Sequence, residues 1–121
     1  MAFQEQIVAR TYLANAAVTQ FTFVTLPDSN GRVGPAGAGV RAAGVALQDA
    51  SAALKPIAVA YDGRVQVIAA GTITAGAAVM SNATGRAVAW ASTNAVLGYA
   101  LEAAVTGQVI TVELARSERA A

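Results

Sequence analysis

Short groups of Val, Ile, Thr and aromatic residues alternate along this chain with Gly, Asp and Asn, and that spacing predicts many short β-strands joined by tight turns. Residues 7–13 form the first expected strand. Residues 18–26 form the second, with Phe21 and Phe23 on one face and Thr22 and Val24 on the other, which predicts a buried aromatic face. Residues 27–39 open on Pro27-Asp28-Ser29-Asn30-Gly31, continue through Gly34, Gly37 and Gly39 without periodicity, and read as a loop. Strand character resumes over residues 40–47. The Ala-rich stretch 49–55 is expected to hold one helical turn, capped by Asp49 or Ser51 and stopped by Pro56.

Farther along, residues 57–61 and 64–68 flank Asp62-Gly63, a pair that favours a two-residue hairpin with both turn residues at positive φ. Residues 77–80 and 87–90 flank a longer turn at 81–86. Residues 96–101 and 108–114 make a last pair around Thr106-Gly107, and the polar stretch 116–121 is expected to fray. Gly44-Val45-Ala46-Leu47-Gln48-Asp49-Ala50 resembles Gly98-Tyr99-Ala100-Leu101-Glu102-Ala103-Ala104. Two copies are too few for a solenoid, so a barrel or sandwich with two related halves is the simpler expectation. The fold class expected is all-β: a small β-barrel-like domain of hairpins with at most one short helix.

Composition narrows the chemistry. A length of 121 residues suits one domain, and a net charge of +1 from scattered charges gives no footprint for nucleic acid or an anionic membrane. Residues 65–85 carry no charge, but Gln66, Thr72, Thr74, Ser81, Asn82 and Thr84 with two glycines fit strand, turn, strand better than a helix in lipid. Residues 1–10 include Glu5 and lack the basic-then-apolar layout of a signal peptide, so this segment is expected to be retained. Cysteine and histidine are both absent, which removes disulfides, thiolate metal sites, the commonest general base near neutral pH and the commonest transition-metal ligand. No enzyme activity, cofactor or metal is expected. Hydrophobic residues make up 55% of the chain, yet only three Phe, three Tyr and one Trp are present and Ala is abundant. Ala buries little area, so the core of one subunit is thin and subunits are expected to associate.

Individual motifs favour structural explanations. Gly34, Gly37, Gly39 and Gly44 lack dinucleotide-loop spacing, and the single lysine, Lys55, belongs to no phosphate-loop motif. Asn82-Ala83-Thr84 matches a glycosylation acceptor but is also good turn chemistry. The seven carboxylates, Glu5, Asp28, Asp49, Asp62, Glu102, Glu113 and Glu118, are dispersed, with the three Asp in turn or cap contexts. Ser29, Ser51, Ser81, Ser92 and Ser117 have no histidine partner and no nucleophile-elbow motif. Among the aromatics Tyr12, Tyr61, Trp90 and Tyr99, burial in the core is the default use; Trp90 and Tyr99 are the candidates for a subunit interface.

From Gly44 onward the order of features resembles the family of small phage capsid decoration (cement) proteins. The residues that carry the resemblance are Gly44-Val45-Ala46-Leu47, the Ala-Gly-Ala-Ala-Val-Met run at 75–80, Asn82 with Gly85, Leu97-Gly98-Tyr99-Ala100-Leu101-Glu102-Ala103-Ala104 and Gly107-Gln108-Val109-Ile110-Thr111-Val112-Glu113-Leu114. The resemblance implies a β-tulip-like domain over residues 16–115, an N-terminal arm or edge strand over 1–15 and a polar tail over 116–121. It further implies a homotrimer on the outer surface of the virion, at three-fold positions of an icosahedral shell of Hong-Kong-97-type major capsid protein, which it stabilises. Phe3, Gln4, Gln6 and Arg10 are the candidate shell contacts. The rival reading is a binding module displayed on a virion or tail that recognises host surface glycan, whose signature would be exposed aromatics near carboxylates on one loop face; a carboxylate-dependent hydrolase is the remaining alternative.

Overall fold

The structure, a computed structural model, describes residues 8–91 and 95–114. These residues contain no helix, and ten strands follow in chain order: β1 Val8–Ala14, β2 Phe23–Val24, β3 Arg32–Val33, β4 Gly44–Ala46, β5 Pro56–Asp62, β6 Arg64–Ile68, β7 Ala78–Ser81, β8 Ala87–Ala89, β9 Gly98–Ala100 and β10 Val109–Leu114. They form two five-stranded sheets, ordered β2-β4-β5-β1-β3 and β6-β10-β9-β7-β8. Each sheet curls until its end strands meet: Val24 bridges Pro35 just past β3, and Ala69 just past β6 bridges Ala87 in β8. The fold is all-β, as the pattern of short apolar groups requires.

The two sheets are copies of one another. Stretch 44–50 and stretch 98–104 share strand, bend and bridge in the same order, and so do stretches 12–18 and 67–73. Their last residues pair within each half, Val18 with Ala50 and Ile73 with Ala104. The turns repeat as well. Asp28 Oδ1 accepts the amides of Asn30 and Arg32 at 2.8 and 3.0 Å, and Asn82 Oδ1 accepts those of Thr84 and Arg86, both at 2.9 Å. Ala14 N donates to Lys55 O while Ala69 N donates to Gln108 O, and Phe21 N donates to Ala46 O while Gly76 N donates to Ala100 O. Residues 8–62 thus form one half and residues 64–114 its counterpart, with a larger hydrophobic cluster that draws Phe23, Val45 and Ala60 from the first and Val65, Val67, Val79, Leu97, Ile110 and Val112 from the second. A smaller cluster around Val18, Val24, Ile57 and Val59 belongs to the first half alone.

Local expectations meet mixed outcomes. The 81–86 turn closes an antiparallel hairpin with Met80 opposite Val88, and β9 pairs antiparallel with β10, Ala100 opposite Val112. The strand expected over 18–26 is broken. Gln20 and Phe21 form a turn with Phe21 at φ 66°, because Asp49 Oδ1 accepts Gln20 N at 2.6 Å and Gln20 Nε2 donates to Leu47 O. Thr22, Phe23 and Val24 are all buried, so alternation fails where both sides are covered. The helical turn expected over 49–55 is absent: Ala50 exchanges both backbone hydrogen bonds with Val18, and Leu54, at φ 71°, donates to Ala14 O. Asp49 caps nothing there. Within the expected loop 27–39, β3 pairs parallel with β1, and of the strand expected over 40–47 only Gly44–Ala46 is regular.

Asp62-Gly63 is the clearest correction. Both edges of β5 are taken, by β1 and by β4, so β6 pairs with β10 in the other sheet. Gly63 alone has positive φ, at 104°, and the dipeptide carries the chain from one half to the other instead of turning a hairpin.

Candidate functional site

A cleft of about 350 Å³ opens on the first half, where it borders the second. Alternation along β1 sends Arg10 and Tyr12 into it, Leu26 and Pro27 come from the segment after β2, Arg41 and Ala42 from the approach to β4, and Tyr61 from the end of β5. Leu97 and Leu114 close the far wall. Arg10 Cζ stands 5.6 Å from the Tyr61 ring centroid, within cation–π range. The Arg10 guanidinium stands among the apolar walls of the cleft, and an apolar partner that carries negative charge complements it there.

The sequence candidates are spread over the molecule. Of the four expected shell contacts, Arg10 is exposed on β1, while Phe3, Gln4 and Gln6 lie outside the described residues. Residues 8–14 of the expected arm form β1, inside a sheet. Tyr99 projects from the outer face of β9, and Trp90 is half-buried just past β8, its amide bonded to Ala78 O. Tyr12 and Tyr61, which spacing alone leaves unassigned, both line the cleft.

The described carboxylates mostly serve the backbone. Asp49 and Asp62 accept the amides of Gln20 and Gly63, and Glu102 Oε2 accepts Thr111 N at 3.1 Å. Asp28 is held below the usual carboxylate value by the amides of Arg32 and Asn30, with smaller help from the Asn15 amide and the Arg32 charge. Glu113 stands exposed on β10, opposite Tyr99 in register. No group of three or more Asp or Glu gathers among the described residues. Ser81 is buried and donates to Asn82 O, and Asn82 is engaged within its own turn.

A model of the phage cement protein family matches residues 3–115. Among solved structures, the N base of the head fiber gp8.5 of bacteriophage phi29 superposes with a TM-score of 0.76 at 24% identity, covering 96% of this chain and 100% of that one. At that identity the likeness speaks for the fold. No curated protein is a match. A family match across nearly the whole chain, on an all-β scaffold whose polar groups serve turns, identifies this chain as a member of the phage cement protein family, a structural protein associated with the virion capsid.

Proposed function

We propose that this protein decorates the outer surface of an assembled icosahedral capsid and stabilises it, as a homotrimer at three-fold positions of a shell of Hong-Kong-97-type major capsid protein. The family match over residues 3–115 is the observation that carries this reading. The physical logic is linkage. A ligand that binds the assembled, expanded shell and not its separate subunits lowers the free energy of the shell, and many copies acting together resist internal pressure without any catalytic group. In this reading residues 1–7, with Phe3, Gln4 and Gln6, reach the shell, and added strand pairing would supply backbone hydrogen bonds there.

The glycan reading finds less support, since Tyr99 and Glu113 are neighbours on strands and not on a loop face. The test is the thermal release of DNA from undecorated heads with and without added protein. Heads that withstand higher temperature in proportion to bound protein are expected, and heads that release DNA at an unchanged temperature once saturated would overturn the stabilising role.

A further inference from the structure

The two halves share a fold but differ in which parts of their faces are covered. In the first half the face formed by Phe23, Val45 and Ala60 is fully covered; the second-half counterparts are Ala78, Tyr99 and Glu113, and Tyr99 is 46% exposed where Val45 is 0%. The other face of the first half is buried at Val24, Ala46, Ile57 and Val59 and differs from its counterpart at the end that opens on the cleft. In the second half Val65, Val67, Ser81, Ala95 and Leu97 are buried, while their first-half counterparts, Arg10, Tyr12, Leu26, Arg41 and Ala43, line the open cleft, with Leu26 52% exposed against 0% for Ser81. The covered faces meet in the larger cluster, where Val45 and Ala60 lie with Val65, Val67, Ala95 and Leu97. Phe23 N donates to Gly85 O across that junction at 2.6 Å. The halves therefore join head to tail, and each molecule is left with one head open at the cleft and one uncovered tail.

We propose that copies of this chain associate by repeating that junction, with the Tyr99–Leu101–Glu113 face of one copy seated in the Arg10–Tyr12–Leu26 cleft of the next. Charge complementarity supports a second copy as the occupant. Where the internal junction holds Ala60 and Val65 in one apolar cluster, the open faces carry Glu113 and Arg10 at the corresponding positions, one acid for one base. Faces that stand in water before assembly carry charge that their permanently covered counterparts lack, and opposite charges steer the two faces together and set their register. Arg64 neighbours Glu113 on the same sheet face, but its counterpart Ala9 is exposed, which places Arg64 on the rim of the contact. A head-to-tail contact is heterologous and closes into a ring when its rotation allows. The inference takes the number of copies, three, from the trimer reading above; the contact itself stands on the duplication. It also assigns Arg10 to the neighbouring copy and not to the shell.

The experiment is light-scattering mass for the full chain and for Glu113→Arg, Arg10→Glu and the double variant, with circular dichroism to verify folding. The trimer mass is expected for the natural protein, a threefold fall for each folded single variant, and return of the trimer mass in the double. Single variants that keep the trimer mass would overturn this interface and leave the trimer standing. A natural protein with the mass of one chain would overturn both. If a single variant does not fold, the double decides: a trimer supports the contact and a folded single chain overturns it.

Discussion

Leu54 and Phe21 adopt left-handed backbone angles, φ 71° and 66°, at the two turn positions where the second half has Gly107 and Gly76. A side chain in that region costs about 1–2 kcal/mol, and Leu54, being 56% exposed, recovers little of it by burial. Leu54→Gly is accordingly expected to stabilise the protein by about 1 kcal/mol in urea unfolding, allowing for the freer unfolded chain. A loss of stability would show that the Leu54 side chain makes contacts worth more than its strain. Asp28 gives a pH signature. Its folded pKa is lowered, so its contribution is present above the ordinary value of 3.8 and is lost as pH falls through the folded value. Asn82 fills the same role uncharged, so Asp28→Asn should keep the turn and flatten the acid limb of the stability profile; unchanged pH dependence would contradict that. Both turns were legible in the sequence because an Asx side chain bonding its own next residues is a local event. The left-handed Phe21 was not, since its turn is fixed by Asp49, many residues away.

Among the elements, β4 and β9 each begin on a glycine because the neighbouring strand leaves no room for a side chain. A Cβ on Gly98 would lie 2.6 Å from Glu113 O, and one on Gly44 would strike Ala60 O. Gly98→Ala is expected to cost about 1–3 kcal/mol through forced backbone shifts. Gly37→Ala, into open space, should be neutral or slightly stabilising, and equal effects in thermal melts would refute the packing argument. Hairpins closed by their own turns, at 81–86 and between β9 and β10, were legible from spacing. Asp62-Gly63 misled because a dipeptide records turn preference and not which edges of β5 are already occupied. The duplication was only half visible. Stretches 44–50 and 98–104 share letters, whereas 12–18 and 67–73 share one identity, Ala14 with Ala69, and a final branched apolar residue.

At the scale of the whole molecule, the expected scarcity of large core residues holds: Phe23 is the one aromatic among the largest fully buried side chains, which are otherwise Ile, Val and Ser. Phe23 sits in the cluster that joins the halves, so Phe23→Ala is expected to cost about 3–5 kcal/mol and to unfold both halves in one transition; two separate transitions would show that they fold independently. The cleft was not legible in sequence, because Arg10, Arg41 and Tyr61 are brought together only by the curl of the first sheet. The chain has neither cysteine nor histidine, and the family match supplies the capsid as the place of work. The most direct test of that account is co-sedimentation of the purified protein with expanded, undecorated heads over a range of concentrations. Saturable binding at a fixed ratio of copies to shell subunits is the predicted result; protein left in the supernatant at every concentration would contradict it.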